Sequence, residues 1–234
     1  MSEYKDLKLT VASSPHVNSP VNTRSLMLDL IIALVPALCV GTYFFGPRAL
    51  VLTAVSVVGC MFFEWLYNAI MKKPQTLGDL TAVITGILLA FVCPVALPYW
   101  TILIGDFFAI ILTKTLFGGL GKNFLNPALA GRAFLMLSYA SFMSTWVKPG
   151  VKNWMGVGAG IADAVTGATP LASLHTGALP KTELLDVLVG NVGGCIGEVS
   201  AIALICGGVY LVIRGVINIR IPATYLGTVA ILTL

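Results

Sequence analysis

The sequence predicts an all-α integral membrane protein, built as a multi-span helical bundle. Of its 234 residues, 57% are hydrophobic and 10% are charged, and the mean hydropathy is +0.93. Soluble domains carry about 25% charged residues. Apolar runs of membrane-spanning character recur along the chain. They lie at about 26–45, 49–71, 80–93, 100–117, 128–147, 196–213 and 221–234.

The third run is short for a transmembrane helix. It holds fourteen residues before Pro94 and includes Gly86, whereas a crossing helix needs about 20 residues. A short segment interrupted by Gly and Pro is typical of a broken helix that lines a binding site or cavity. An ordinary tilted helix with a proline near its end fits the same pattern, and the sequence leaves both interpretations open.

Charge predicts the orientation, since Lys and Arg are retained on the cytoplasmic side. If residues 1–25 are cytoplasmic and the spans alternate, ten of the 14 basic residues lie inside. The inside set is Lys5, Lys8, Arg24, Lys72, Lys73, Lys114, Lys122, Arg132, Arg214 and Arg220, and the outside set is Arg48, Lys148, Lys152 and Lys181. We therefore predict a multi-pass membrane protein with a cytoplasmic N-terminus whose residues 148–195 form an extracytoplasmic loop.

Other features narrow the class of protein. The N-terminus is polar for too long to be a cleavable signal peptide. The five cysteines lack metal-ligand spacing and are interpreted as small buried hydrophobes. No basic, aromatic-interleaved patch indicates nucleic acid, so membrane lipid is the predicted surrounding. The last run ends without flanking charge, which predicts that a C-terminal part of the protein is missing.

The loop sequence "IADAVTGATPLASLH" presents a threonine hydroxyl. Gly167 allows the backbone to turn and a large partner to approach, and Pro170 biases Thr169 toward an extended conformation. A threonine nucleophile needs an adjacent base, and none stands beside Thr169. The pattern therefore predicts that Thr169 is the substrate of another enzyme, with no catalytic residue and no metal ligand in this chain.

"DAVTGAT" resembles the D-x-x-[ST]-G-A-[ST] signature at which bacterial flavin transferases attach FMN through its phosphate. The resemblance implies covalent FMN at Thr169. It implies that Asp163, Thr166, Gly167 and Ala168 are recognition residues for the transferase.

Further segments are similar to the D subunit of the Rnf electron transport complexes (RnfD), in a family shared with the B subunit of the Na+-translocating NADH:quinone reductase. They are "SSPHVNSP", "MLDLIIALVPAL", "GTYFFGPRAL", "GKNFLNPALAGRAF" and "GCIGEVSAIALICGGVYLVIRGVINIRIP". The resemblance implies a urea-transporter-like fold of inverted repeats. Residues 26–147 would form the five-helix first repeat and residues 196–234 the start of the second.

The same resemblance implies a function and a location in the bacterial inner membrane. The chain would be a flavoprotein subunit, not catalytic alone, of a translocase that carries electrons between ferredoxin and NAD and couples this to Na+ or H+ translocation. The implied partners are the other Rnf subunits, including the flavin-bearing G subunit, and the flavin transferase. A second, noncovalent flavin (FMN or riboflavin) is also implied. The alternative is a passive channel or transporter protein without a redox role.

Two further groups of residues are candidates for function. "GGLGKNFLNPALAGR" is interpreted as a turn, with Asn126 capping a helix and Pro127 at its first position, or as a contact for the second flavin. Acids inside the membrane are functional candidates by default. Asp106 and Glu198 are predicted to lie on an ion path or in a buried hydrogen-bond network, whereas Glu64 and Asp79 are predicted to be interfacial; Asp29 belongs to the same set.

Overall fold

The computed structural model describes residues 22–147, 184–198 and 200–233, and this part of the chain is helical. In chain order the helices are α1 (Thr23–Phe45), α2 (Pro47–Ile70), α3 (Thr81–Phe91), α4 (Tyr99–Phe107), α5 (Pro127–Ser138), α6 (Ala140–Met143), α7 (Leu184–Val189), α8 (Ala201–Ile213) and α9 (Arg220–Thr233). A 3-10 turn (Leu77–Asp79) precedes α3, and a π-helix (Phe108–Thr115) continues α4.

Two helices among the described residues are long and apolar enough to cross a membrane. They are α1 with 23 residues and α2 with 24, which confirms the first two predicted spans as helices. Both turn lipophilic side chains outward, since Leu28, Val58 and Phe62 are exposed. These helices and the apolar composition of the chain are consistent with a helical membrane protein.

The third run is an interrupted helix. α3 has 11 residues, about 16 Å at 1.5 Å per residue, which is short of the roughly 30 Å hydrocarbon core. The non-helical chain after it is buried at Cys93, Val95 and Leu97. The broken-helix interpretation thus fits, and the ordinary tilted span does not.

Two predicted spans have different boundaries in the structure. The run 128–147 is divided at Tyr139, whose ring packs edge-on against Trp100 at 5.5 Å. The run 196–213 becomes helical only at Ala201, because residues 196 and 197 hydrogen-bond to the end of α3 instead. Long-range contacts, rather than local sequence pattern, set both boundaries.

Consecutive helices from α1 to α4 run antiparallel, so α2 and α4 are parallel to each other, and the bundle has two ends. The Arg48 end contains the last turn of α1, the first turn of α2 and the non-helical chain between α3 and α4. The Lys114 end contains the last turns of α2, the start of α3 and the end of the π-helix. α8 packs along α1. The internal two-fold relation to a second repeat stays a prediction.

Candidate functional site

The residues predicted to carry the flavin lie outside the described residues. This applies to Asp163, Thr166, Gly167, Ala168 and Thr169. Most of the loop 148–195 and of the N-terminal segment 1–25 is outside as well. Covalent FMN at Thr169 therefore stays a prediction. The structure describes the helices and the chain segments on either side of the loop.

Both flanks of the loop meet at the Arg48 end. A Cβ placed on Gly193 would lie 3.3 Å from the carbonyl oxygen of Val147. The returning chain then docks on the end of α3, where Ile196 N–H donates to the Cys93 carbonyl at 3.3 Å and Gly197 N–H donates to the Phe91 carbonyl at 2.9 Å. The segment that contains the motif therefore leaves and rejoins the bundle at the same end.

Gly197 is required for this docking. A Cβ at residue 197 would lie 2.6 Å from the Cβ of Phe91, closer than two carbon atoms can approach without displacement. The neighbouring Cys195 thiol donates to the Val92 carbonyl at 3.3 Å. Together these contacts satisfy backbone groups that the interrupted helix leaves without helical partners.

Arg48 satisfies the remaining carbonyls of the interruption. Its Nε donates to the Val95 carbonyl at 2.9 Å, and its second guanidinium nitrogen donates to the Ala96 and Leu97 carbonyls at 3.3 and 3.4 Å. The guanidinium also lies 5.5 Å from the ring centre of Tyr99. Irregular backbone at membrane depth is tolerated only where protein groups satisfy it. Sequence reasoning missed this role and counted Arg48 only as a charge outside the membrane.

At the Lys114 end, a buried ion pair joins α2 to the π-helix. The Lys114 ammonium lies 2.9 Å from Glu64 Oε2 and donates to the Thr81 hydroxyl at 2.7 Å. Thr76 donates to Glu64 Oε1 at 2.6 Å, so both carboxylate oxygens are occupied. Glu64 is 2% exposed, so it is buried within the protein, and its interfacial depth in the membrane stays a prediction. Lys114 reaches it from a helix 50 residues away in sequence, a pairing that no local pattern reveals.

A polar cavity of about 220 Å³ adjoins this ion pair. It opens between the end of α2 and the glycine-rich connection after the π-helix. Its lining includes Glu64, Asn68, Lys73, Thr76, Asp79, Lys114 and Gly119. Asp79 is exposed, which agrees with its predicted interfacial position.

The glycine-rich connection forms a turn and a helix start, as predicted. Gly118 and Gly119 have φ values of 106° and 90°, which side-chain-bearing residues rarely adopt. The side chain of Asn126 accepts from Ala128 N–H at 3.0 Å, with Pro127 as the first helical residue. The predicted contact with a second flavin is untested.

Asp106 lies in a buried hydrogen-bond network, as predicted. It is 0% exposed. Its Oδ1 lies 2.7 Å from Ser56 Oγ and 3.2 Å from Cys60 Sγ. Its Oδ2 has no hydrogen-bond partner among the residues that the structure describes.

The other two candidate acids form ion pairs. Glu198 lies 3.4 Å from Arg132, and its side chain is 54% exposed, so the buried-network alternative is wrong for Glu198, whereas a place on an ion path stays a prediction. Glu198 is exposed because residues 195–198 form the docked, non-helical chain rather than the first turn of a span. Asp29 is buried and accepts from Arg214 Nε at 3.2 Å and from Tyr210 at 3.1 Å, which fastens α1 to α8.

Comparison with known proteins places this helical membrane protein in a family. Residues 10–234 match the model of the NQR2, RnfD, RnfE family. The chain is 47% identical to the D subunit of the Na(+)-translocating ferredoxin:NAD(+) oxidoreductase complex of Acetobacterium woodii, over 98% of this chain and 70% of that protein. It is 38% identical to the D subunit of the proton-translocating ferredoxin:NAD(+) oxidoreductase complex of Clostridium ljungdahlii, over 99% and 70%.

A more distant relative is also named as a D subunit of such a complex. The D subunit of the ion-translocating oxidoreductase complex of Halorhodospira halophila is 33% identical, over 95% of this chain and 69% of that protein. The chain therefore belongs to the NQR2, RnfD, RnfE family, and within it to the RnfD group.

Proposed function

We propose that this chain is the flavin-carrying membrane subunit of an Rnf-type complex, which passes electrons between ferredoxin and NAD and couples the transfer to Na+ or H+ translocation. Family membership supports the proposal most directly. The relatives from Acetobacterium woodii and Clostridium ljungdahlii are named as subunits of ferredoxin:NAD(+) oxidoreductase complexes, one Na+-translocating and the other proton-translocating.

The chemistry of the loop supports covalent attachment at Thr169. A phosphoester needs a hydroxyl that a transferase can reach, and the "GATP" sequence offers one between a small residue and a proline. Asp163, Thr166, Gly167 and Ala168 would be read by the transferase. When bound, FMN would supply the redox-active ring, which no side chain replaces.

The described residues contribute the anchor for that loop. Arg48, Ile196 and Gly197 fix the non-helical chain at the Arg48 end, and both flanks of the loop start from this fixed point. A cofactor tethered there would stay at one side of the membrane. The proposed partners are the other Rnf subunits, including the flavin-bearing G subunit, and the flavin transferase. A second flavin, FMN or riboflavin, is part of the same proposal.

In-gel fluorescence of the denatured protein tests the attachment. The full chain is produced together with a flavin transferase, and Thr169→Ala is compared with wild type. We expect a fluorescent band in wild type and none in Thr169→Ala, because the alanine lacks the hydroxyl that forms the ester. Thr176→Ala, in the same loop but outside the motif, is the matched control and should keep the band.

Each result has a defined meaning. If fluorescence survives in Thr169→Ala, the flavin is attached to a residue other than Thr169. A wild-type band that is absent despite an active transferase would contradict the redox role and favour the passive channel or transporter alternative. Peptide mass mapping of residues 161–175 would then distinguish an unmodified loop from a flavin lost in the gel.

A further inference from the structure

The carboxyl group of Asp106 lies in the middle of the bundle and is not explained by the loop or by its anchor. It projects from α4 toward α2, between Ser56 and Cys60. Gly59 allows this approach, because a Cβ at that position would lie 2.7 Å from Asp106 Oδ2. The site is closed to solvent, since Ser56, Cys60 and Asp106 are all 0% exposed.

We propose that Asp106 holds a bound proton in the folded protein, so that its side chain is a neutral carboxylic acid that donates a hydrogen bond to Ser56. The inference does not depend on the proposed electron-transfer function. It rests on the number of donors and acceptors within the site.

An ionised Asp106 leaves the site poorly satisfied. Ser56 and Cys60 would both have to donate to Oδ1, and Oδ2 would share the negative charge without any donor among the described residues. The Gly86 carbonyl, 3.0 Å from Ser56 Oγ, would lose the only hydrogen that this hydroxyl has. A buried charge that is neither paired nor fully hydrogen-bonded is strongly unfavourable.

A protonated Asp106 forms a continuous chain of hydrogen bonds. Its Oδ1–H donates to Ser56 Oγ across 2.7 Å, and Ser56 donates to the Gly86 carbonyl across 3.0 Å. Cys60 donates to Asp106 Oδ1 at 3.2 Å. The distances fit this direction as well as the opposite one, because hydrogen positions follow from the network. The chain of hydrogen bonds links α4, α2 and α3, and Oδ2 is left as an uncharged carbonyl oxygen.

Among the residues that the structure describes, no charged side chain supplies a counter-ion to Asp106. From α2 and the π-helix, Glu64 and Lys114 pair with each other at 2.9 Å. From α5, Arg132 pairs with Glu198. α3 has no titratable side chain, and Arg48 of α2 binds the carbonyls at the other end. In this state Asp106 therefore crosslinks three helices and does not serve as an anionic ligand for a cation.

Infrared spectroscopy of the full chain in lipid nanodiscs tests the proposal. Between about pH 6 and pH 8 an ordinary aspartate is ionised and gives no carboxylic-acid C=O band. We expect such a band in wild type at about pH 6, the acid end of this range, and its loss in Asp106→Asn. Asp79→Asn, at an exposed aspartate, is the matched control and should leave the band unchanged.

A second variant keeps the test decisive if Asp106→Asn does not fold. Ser56→Ala removes the acceptor of the proposed O–H donor, so the acid band should shift in frequency while Asp106 is still present. Identical spectra of wild type and Asp106→Asn in the acid region would overturn the proposal. So would a Ser56→Ala spectrum in which no acid band moves.

Discussion

At the scale of single residues, the ion pair of Glu64 and Lys114 shows how the bundle tolerates charge in its interior. Each side chain is less than 5% exposed, and each has a second partner, Thr76 for Glu64 and Thr81 for Lys114. A charge buried in this way is tolerated only when its hydrogen-bonding positions are filled. The pair thus holds α2, α3 and the π-helix together at the Lys114 end.

Removing one member of this pair should destabilise the protein more than removing both. Lys114→Met leaves the Glu64 carboxylate buried without its counter-ion, and such single deletions cost about 3–5 kcal/mol. The double variant Glu64→Gln/Lys114→Met removes both charges and should recover much of that loss. Thermal unfolding of the detergent-solubilised chain measures both effects.

The control for this prediction is an exposed lysine. Lys73 is exposed and lies 5.0 Å from the ring centre of Tyr67, so Lys73→Met should change the melting temperature little. If the double variant is less stable than Lys114→Met, the interpretation of the pair as a charge-compensating contact is wrong.

At the scale of elements, the π-helix explains how α4 keeps one face buried. Buried positions recur in pairs every four residues, at 101–102, 105–106, 109–110 and 113–114. An α-helix of 3.6 residues per turn would rotate by about 40° at each such repeat, or about 120° over three. The wider π-turns reduce this drift, so that Lys114 and Asp106 both reach α2.

The sequence predicted the existence of this span but not its geometry. The apolar run at 100–117 predicts a helix, but small residues every four positions also occur on the packed faces of ordinary α-helices, so this spacing does not distinguish π-turns. The breaks at Tyr139 and before Ala201 had no local signal either. They depend on Trp100 and on the end of α3, which lie far away in the sequence.

Helix packing makes a testable distinction between two adjacent glycines of α8. A Cβ on Gly207 would clash with the carbonyl oxygen of Ala33 in α1, whereas nothing lies within 4 Å of a Cβ on Gly208. Gly207→Ala should therefore push α8 away from α1 and lower the melting temperature. Gly208→Ala should be neutral or slightly stabilising, because alanine is the better helix former by about 1 kcal/mol.

The two variants share helix, composition and depth, so each serves as the control for the other. Equal melting temperatures would show that α8 does not pack on α1 as described. A larger loss in Gly208→Ala would place the opposite face of α8 in the contact.

At the scale of the whole molecule, polar side chains lie inside the bundle and many large apolar side chains lie on its surface. α2 carries a buried polar stripe from one end of the bundle to the other, while its exposed side is apolar. The stripe consists of Arg48, Thr53, Ser56, Cys60, Glu64 and Asn68, and the exposed side includes Leu50, Val58, Phe62 and Trp65. This arrangement suits a helix that faces lipid on one side and the polar interior of a protein on the other.

The sequence revealed the composition of this stripe but not its burial. Ser56 and Cys60 are ordinary residues in an apolar run, and their partners, Asp106 for both and the Gly86 carbonyl for Ser56, lie far away in the sequence. The position of Glu64 near the end of its run favours the interface, and its distant partner Lys114 is what buries it. The motif at Thr169 stood out from sequence alone, and its attachment still awaits the fluorescence experiment.

The two ends of the bundle lead to a prediction about orientation. Residues 147 and 193, which flank the loop, lie at the Arg48 end, whereas Lys122 follows the π-helix at the Lys114 end. If the loop is extracytoplasmic, as the distribution of basic residues predicts, Lys122 must be cytoplasmic. Lys181→Cys and Lys122→Cys place a thiol on each side.

A membrane-impermeant maleimide should label Lys181→Cys in intact spheroplasts and Lys122→Cys only after permeabilisation. Wild type, with its five cysteines, gives the background at each step. The reverse pattern would put the flavin loop in the cytoplasm and would remove the topological basis of the proposed function. Labelling of both thiols in intact spheroplasts would mean that the two ends do not lie on opposite sides of the membrane, although α2 runs from the Arg48 end to the Lys114 end.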